Sequence, residues 1–126
     1  MTFFEVKRLP AQQVLPGIEL RSVNLENVMM TFVEYAAGSE VPTHEHRHEQ
    51  ITYVLEGTLE VTVGDERRLL SAGEGVRIPP YTEHGSRPVQ GPAKALDAWS
   101  PVPHRLKVEA PSSRGDEVPA EGEGPT

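Results

Sequence analysis

Short runs in which apolar and polar residues alternate are the strongest regular feature of this chain. The clearest run is residues 50–64 (QITYVLEGTLEVTVG), which Gly57 divides into two halves. Apolar residues take every second position in each half: Ile51, Tyr53 and Leu55, then Leu59, Val61 and Val63. Because successive side chains of a strand point to opposite faces, a period of two is typical of half-buried strands. The run therefore predicts two strands separated by Gly57.

Further strands are predicted at 27–35, in two short runs within 68–80, and at 93–101. The segment GDER at 64–67 has the composition of a hairpin turn. No segment carries a long apolar stripe with a helical period. Many short strands joined by turns, in a chain with 11 glycines and 12 prolines, predict an all-β sandwich or barrel.

The length of 126 residues fits one domain, which we place at 1–108. Residues 109–126 are rich in Pro, Gly and Glu and almost free of large apolar side chains, so we predict a disordered tail there. An RGD tripeptide at 114–116 lies in that tail, and we interpret it as a chance match. The absence of cysteine excludes disulfides, thiolate zinc sites and cysteine nucleophiles.

Charge and hydropathy argue against several classes of partner. The formal net charge is -7 and no block of Lys and Arg is present, which disfavours nucleic acid. No apolar run approaches the roughly 20 residues that span a bilayer. The first ten residues also lack the long apolar core of a secretory signal. We therefore expect a cytoplasmic protein with no nucleic-acid or membrane partner.

Three of the five histidines stand in residues 42–50 (PTHEHRHEQ). Because residues i and i+2 of a strand share a face, His44 and His46 can direct two imidazoles at one point. Imidazole is the commonest neutral ligand for first-row divalent metals. Gln50 offers a carbonyl oxygen, and His84 is the best-placed histidine outside the cluster. The pattern indicates a metal site at His44, His46, Gln50 and His84.

Other interpretations of this cluster remain open at the level of sequence. A histidine pair in a polar loop is usually solvated and binds nothing. The side chain of His48 is expected on the same strand face as those of His44 and His46, so His48 is an alternative to Gln50 as a ligand. A turn at 47–49 would end this alternation and place His48 at the rim of the site. Glu49 is one residue out of register, so its side chain is expected on the opposite face.

The segment KALDAWSPVPHR at 94–105 places Asp97 and Trp99 on one face of a strand and Ala98 on the other. A buried charge needs a partner, which leaves two interpretations of Asp97. In the first, backbone amides or an arginine such as Arg77 hold the carboxylate. In the second, the carboxylate has a chemical role: Asp97 is a general acid/base near the metal, and Trp99 forms the wall of the site.

Two segments together resemble the sequence motifs of the cupin superfamily. Residues 38–57 are similar to the first motif, with matches at Gly38, His44, His46, Gln50 and Gly57. Residues 73–84 are similar to the second, with matches at Gly73, Pro79 and His84. The chain departs from the family pattern at Gln50 (usually Glu), Tyr81 (usually Gly) and Pro88 (usually Asn). The resemblance implies a single-domain, jelly-roll-like cupin β-barrel that binds one divalent transition metal ion, with Ni, Mn, Fe, Zn and Co all open.

The order of these motifs, followed by Asp97 and an aromatic residue, looks most like the small cupins of pectin and alginate breakdown. Those proteins convert unsaturated 4-deoxy uronates to a linear keto sugar. The resemblance implies that His44, His46, Gln50 and His84 hold the metal and that Asp97 is the catalytic acid/base. It also implies an arginine after the aspartate, where this chain has Pro103 with Arg105 nearby. We predict a substrate pocket that includes Trp99, Tyr53, His48 and Arg105.

The neutral amide of Gln50 bears on the choice between reactions. Without a carboxylate ligand the metal keeps its full charge, which favours Lewis-acid chemistry over oxygen chemistry. We therefore expect an isomerase or lyase-like enzyme acting on a small sugar acid. The alternatives are an iron-dependent dioxygenase and a non-catalytic module that binds a small molecule. A homodimer is expected as well, because pairing covers open strand edges.

Overall fold

The computed structural model describes residues 2–107, which form ten strands and two short 3₁₀ helices. The strands are β1 (Gln12–Leu15), β2 (Ile18–Asn24), β3 (Met29–Tyr35), β4 (Val41–His44), β5 (Glu49–Glu56), β6 (Thr58–Val63), β7 (Glu66–Ser71), β8 (Gly75–Ile78), β9 (His84–Pro88) and β10 (Ala93–Ser100). The 3₁₀ helices are Val6–Arg8 and His104–Leu106. No helix among these residues has the length and apolar character needed to cross a membrane. The predicted tail, its RGD tripeptide and the boundary at 108 lie outside the described residues.

Two antiparallel sheets build the fold, which confirms the prediction of an all-β barrel. One sheet has the strand order β1-β2-β3-β10-β5-β8 and the other has the order β4-β9-β6-β7. Buried apolar side chains from both sheets form a single core cluster. Among them are Val33 and Val54 from the larger sheet and Leu59 and Leu70 from the smaller. The core therefore lies between the sheets, as in a sandwich closed toward a barrel.

The strand β5 alternates as predicted, but its polar face is the one that points inward. Gln50 and Thr52 are buried together with Val54, whereas Ile51 and Tyr53 are 53% and 45% exposed. The prediction that Tyr53 lines the pocket is therefore wrong. Its side chain lies on the outer face of the sheet, because it is one residue out of phase with Thr52.

Strands β3, β5, β6, β7, β8 and β10 occur where the sequence predicted them, and the predicted turn joins β6 to β7. The strands that were not predicted are β1, β2, β4 and β9. Three of these are short, and β9 (HGSRP) contains Gly and Pro and no large apolar residue. Propensity is weak for such segments, so pairing with neighbouring strands determines their structure. Only β2, where Ile18 and Leu20 alternate with polar residues, carried a pattern that could have revealed it.

Gly57 is the corner at which the chain leaves one sheet for the other. It is the single residue between β5 and β6, which belong to different sheets. Its φ is +80°, and a Cβ atom added there would lie 2.5 Å from the carbonyl oxygen of Pro92. Only glycine combines that backbone conformation with so close an approach.

Candidate metal centre

Strand pairing brings two distant histidines together at one end of the smaller sheet. His44 is the last residue of β4 and His84 the first of β9, and the antiparallel register places them opposite each other. His46 follows in the loop before β5. Its carbonyl oxygen accepts a hydrogen bond of 2.7 Å from the amide of Tyr81, which ties the loop to the turn preceding His84. The side-chain nitrogens of His44, His46 and His84 available to a metal lie within 4.8 Å of one another.

Each ring in this group is fixed in the same tautomer. The Nδ1 atoms lie near backbone carbonyl oxygens, at 3.0 Å from Pro42 for His44, 3.0 Å from His48 for His46, and 2.8 Å from Thr82 for His84. A carbonyl can only accept, so each Nδ1 carries the hydrogen and each Nε2 presents a bare lone pair. Metal ligation requires this form, and such outer hydrogen bonds are what usually orient ligating histidines.

Two atoms in the site lack a protein partner suited to them. The Nε2 of His84 is buried and accepts no hydrogen bond. The Nε2 of His46 faces Gln50 Oε1 at 3.1 Å. With the hydrogen of His46 on Nδ1, these two atoms are both acceptors and cannot bond to each other. A cation among them would satisfy every lone pair, so the donor set fits a divalent metal ion.

Burial keeps the imidazoles of His46 and His84 uncharged near neutral pH. The pKa of His84 is lowered to about 4, mainly by desolvation and also by charge repulsion from His44 and His46, against the raising effect of the hydrogen bond to Thr82. Desolvation likewise lowers the pKa of His46. A neutral imidazole is the form that binds a metal, so the fold prepares these two rings for it.

A chain of hydrogen bonds leads from Gln50 to the carboxyl group of Asp97. The side-chain amide of Gln50 donates to the Thr52 hydroxyl at 2.9 Å, and Thr52 donates to Asp97 Oδ1 at 2.6 Å. On the other side of Asp97, the indole of Trp99 donates to the Thr31 hydroxyl at 3.0 Å, and Thr31 donates to Oδ2 at 3.3 Å. In β10 Asp97 lies between Thr31 of β3 and Thr52 of β5, so strand register alone places both hydroxyls.

Asp97 is only 6% exposed, and neither partner proposed for it from the sequence holds it. Two threonine hydroxyls take the place of backbone amides, and Arg77 lies at an exposed position on β8 across from Ile51. Desolvation raises the pKa of Asp97 to about 6, against the lowering effect of its hydrogen bonds. A carboxyl group whose pKa lies this close to neutrality can both take up and release a proton at neutral pH.

A cavity of about 310 Å³ connects the histidines with Asp97. His44, Gln50, His84, Asp97, Trp99 and Arg105 are among the residues that line it. Tyr35 lines it too, and its hydroxyl is hydrogen-bonded to Ser86. The volume is at the lower end of the range for small-molecule sites. Two of the grouped histidines, the carboxyl group of Asp97 and the guanidinium of Arg105 thus share one small cavity.

Neither His48 nor Glu49 belongs to the histidine group, although the ring of His48 lies 5.7 Å from that of His46, centroid to centroid. The loop bends at residues 47–48, so the strand parity expected through His48 ends at His44. His48 is nevertheless fully buried rather than at a rim, with its Nδ1 2.9 Å from the carbonyl oxygen of Pro101. It is not among the residues that line the cavity within the described part of the chain. Glu49 is exposed.

Sequence reasoning missed Thr31, Thr52 and Tyr35 as members of the site. Thr52 could have been found, because it is two residues from Gln50 and a strand with Gln50 inside must also turn Thr52 inside. Thr31 and Tyr35 reach the site only through the pairing of β3 with β10. No pattern local to β3 marks them.

The sequence matches a family model over residues 31–99, that of the cupin domain. The matched region contains the three grouped histidines as well as Gln50 and Asp97. Arg105 lies beyond its end.

Proteins with similar sequences include a curated pectin degradation protein and two proteins of solved structure. The pectin degradation protein KdgF of Dickeya dadantii (strain 3937) is 28% identical over 101 residues, covering 79% of this chain and 92% of that protein. The structure of KdgF from Halomonas sp. is 30% identical with a TM-score of 0.80, covering 84% of this chain and 100% of that one. An RmlC-like cupin from Shewanella frigidimarina NCIMB 400 is 25% identical with a TM-score of 0.77, covering 81% and 92%.

Proposed function

Because this chain belongs to the cupin family, we propose that it is a metal-dependent isomerase that opens an unsaturated uronate or a similar small sugar acid. The observation that carries the proposal is the hydrogen-bonded path from Gln50, whose Oε1 lies 3.1 Å from Nε2 of His46, through Thr52 to Asp97. It joins a neutral ligand set to a buried carboxyl group with a pKa of about 6. The similarity to pectin degradation proteins supports the choice of substrate class.

In this proposal His44, His46 and His84 hold one divalent transition metal ion together with Oε1 of Gln50. Nickel, manganese, iron, zinc and cobalt all suit a site of nitrogen and oxygen donors. When bound, the ion supplies Lewis-acid stabilisation of negative charge on a substrate oxygen. Gln50 contributes no charge, so the site favours a substrate that brings its own anionic oxygen.

Asp97 moves the proton. Opening the ring of a 4,5-unsaturated uronate requires loss of the proton on the anomeric hydroxyl and gain of a proton at carbon 4, with no net change in composition. One carboxyl group in contact with the cavity can take the first proton and return one to carbon. The hydroxyls of Thr31 and Thr52 each donate to one oxygen of Asp97, which holds the group in place while it titrates.

Arg105 and Trp99 complete the substrate site. A guanidinium recognises a carboxylate through two parallel hydrogen bonds, and Arg105 lines the same cavity as Asp97. Arg105 is two residues from Pro103, the position where the resemblance placed an arginine. The 3₁₀ helix His104–Leu106 thus places a guanidinium at position 105 instead of position 103. Trp99 is buried beside His46, with ring centroids 5.3 Å apart, and forms an apolar wall.

The test uses Asp97→Asn, which preserves the shape of the side chain but cannot accept a proton. We expect turnover of an unsaturated uronate mixture to fall roughly 10²–10⁴-fold, the usual contribution of a general acid/base. Loss of the ultraviolet absorbance of the conjugated alkene measures turnover, and elemental analysis should show unchanged metal content. Asp65→Asn, in the exposed β6–β7 turn, is the matched control and should be fully active.

Two outcomes would contradict this function. If wild-type protein with a full complement of metal turned over no uronate, the proposed isomerase activity on sugar acids would be excluded. Oxygen consumption by the iron-loaded protein, followed with an oxygen electrode, would favour a dioxygenase instead.

We also propose that the protein forms a homodimer and acts in the cytoplasm on a free small-molecule acid. Support for the homodimer comes from the outer face of the larger sheet, where Val28, Ile51, Tyr53 and Leu55 are all exposed. A cavity of about 520 Å³ lies on that face, and its lining includes Val28 and Ile51. Exposed apolar patches of this kind usually mark contact surfaces.

A further inference from the structure

Gln50 can turn either end of its side-chain amide toward the grouped histidines, and only one end can bind a metal ion. The carbonyl oxygen has lone pairs, whereas the NH₂ group has only hydrogens to offer. The two orientations have nearly the same shape, so packing alone hardly distinguishes them. The function proposed above therefore needs a group that fixes the amide.

Thr52 has the geometry to do this. Its hydroxyl carries one hydrogen, which it donates to Asp97 Oδ1 at 2.6 Å. Its oxygen can then only accept from Gln50, at 2.9 Å, and only the NH₂ end of the amide can donate. Oε1 is left facing Nε2 of His46 at 3.1 Å. All four side chains are buried, which limits the competition of solvent for these bonds.

The hydrogen bonds on the opposite side of Asp97 also run toward the carboxylate. The indole N–H of Trp99 can only donate, so Thr31 must use its own hydrogen on Asp97 Oδ2. Asp97 therefore accepts from a hydroxyl at each oxygen. This keeps the Thr52 hydrogen directed at Asp97, because the carboxylate has no hydrogen of its own to send back.

We propose that Thr52 is a positioning residue that orients the Gln50 amide so that its oxygen, not its nitrogen, faces the metal site. The inference rests on the metal centre of the proposed function and extends it by one residue. In β5 the hydroxyl two residues after Gln50, on the same face of the strand, supplies the acceptor that fixes the amide. A glutamate ligand has no such requirement, because both of its ends are oxygen.

The experiment titrates Co²⁺ into metal-free protein and measures the dissociation constant by calorimetry and the visible Co²⁺ absorption spectrum. Thr52→Val keeps the branched shape and removes the hydroxyl. We expect its Co²⁺ affinity to fall roughly 10–100-fold, the usual effect of losing a group that orients a ligand. The Co²⁺ spectrum should also change. Thr52→Ser restores a hydroxyl and should bind Co²⁺ with wild-type affinity. Thr62→Val, at a half-buried position on β6, is the matched control and should bind as the wild type does.

A double-mutant comparison separates orientation from packing. In a Gln50→Glu background, adding Thr52→Val should change the Co²⁺ dissociation constant by less than about threefold, because a carboxylate presents oxygen in either orientation. An equal loss of affinity in both backgrounds would overturn the proposal, as would wild-type affinity in Thr52→Val itself. Should Thr52→Val not fold, Thr52→Ala removes the same hydroxyl and the same comparison applies.

The outcomes also separate this inference from the proposed function. Co²⁺ binding is measured without substrate, so a wild type that turns over no uronate leaves the test of Thr52 intact. A wild type that binds no Co²⁺ would overturn the metal centre and the role of Thr52 together.

Discussion

At the scale of single residues, the decisive feature is which atom of each histidine ring carries the hydrogen and to which group it is donated. His44, His46 and His84 all place Nδ1 against a backbone carbonyl, so the backbone selects the tautomer before any metal arrives. Burial lowers the pKa of His46 and of His84, which removes the proton that would otherwise compete with the metal. His48 has a comparable bond from Nδ1 to the carbonyl of Pro101, yet it lies outside the group.

That contrast leads to a prediction about two histidines in the same loop. His46→Ala should abolish metal binding, because its Nε2 is one of three that converge and the neighbouring His48 does not belong to that group. His48→Ala should leave metal stoichiometry unchanged but lower the melting temperature, since it empties a fully buried position. Elemental analysis and thermal unfolding of both variants check this. A reversal of the two metal contents would show that His48, not His46, is the ligand.

At the scale of elements, the pairing of β4 with β9 and the corner at Gly57 carry most of the architecture. The first brings His44 to His84 across a separation of 40 residues. The second takes the chain from the larger sheet to the smaller without a loop, so that β5 and β6 can supply both inner faces of the barrel. Both depend on close backbone approach rather than on side-chain chemistry.

The corner can be tested with a matched pair of glycines. Gly57 and Gly38 have similar φ values, +80° and +83°, but a Cβ at Gly57 meets Pro92 O at 2.5 Å whereas one at Gly38 meets nothing within 4 Å. Gly38→Ala should cost about 1–2 kcal/mol in free energy of unfolding, the strain of a left-handed backbone. Gly57→Ala should cost clearly more, because backbone must move as well. Chemical denaturation measures both. Equal losses of unfolding free energy in the two variants would mean that the corner at Gly57 can accommodate a Cβ atom, contrary to the structure.

At the scale of the whole molecule, polar and apolar faces are arranged in an unusual way around β5. Its polar residues Gln50 and Thr52 point inward, while its largest apolar side chains lie on the outside of the larger sheet. Half-buried residues of β3 and β10 extend that outer apolar face: Met30, Phe32, Leu96 and Ala98. A second copy of the chain could cover this surface by a two-fold contact in which the same patch serves both partners.

We therefore expect a dimer at micromolar concentration, and Ile51→Lys should convert it to a monomer. Ile51 is 53% exposed on the outer face of the larger sheet, and a lysine there would place like charges across a two-fold contact. Leu69→Lys is the control, because Leu69 is 58% exposed but lies on β7 of the other sheet. Light scattering reports the mass. A monomeric wild type would contradict the prediction, and dissociation by Leu69→Lys alone would move the interface to the smaller sheet.

The sequence by itself determined the fold class and part of the site. Alternation and turn residues predicted six of the ten strands in the described part of the chain, and the pattern of histidines predicted that His44, His46 and His84 form a group that could hold a metal ion. These inferences hold because they rest on local periodicity and on motifs whose residues are few and chemically specific. The inward direction of Asp97 followed from the same alternation.

Only the tertiary structure decided which face of β5 is inside and what surrounds Asp97. Tyr53 was predicted to line the pocket, yet its side chain lies on the outer face of the sheet, and Gln50 and Thr52 are the residues of β5 that point inward. The partners of Asp97 come from β3 and β5, which β10 meets only after the sheet has formed. Their identity depends on strand order and register, and those are set by pairing between segments far apart in the chain rather than by any local pattern.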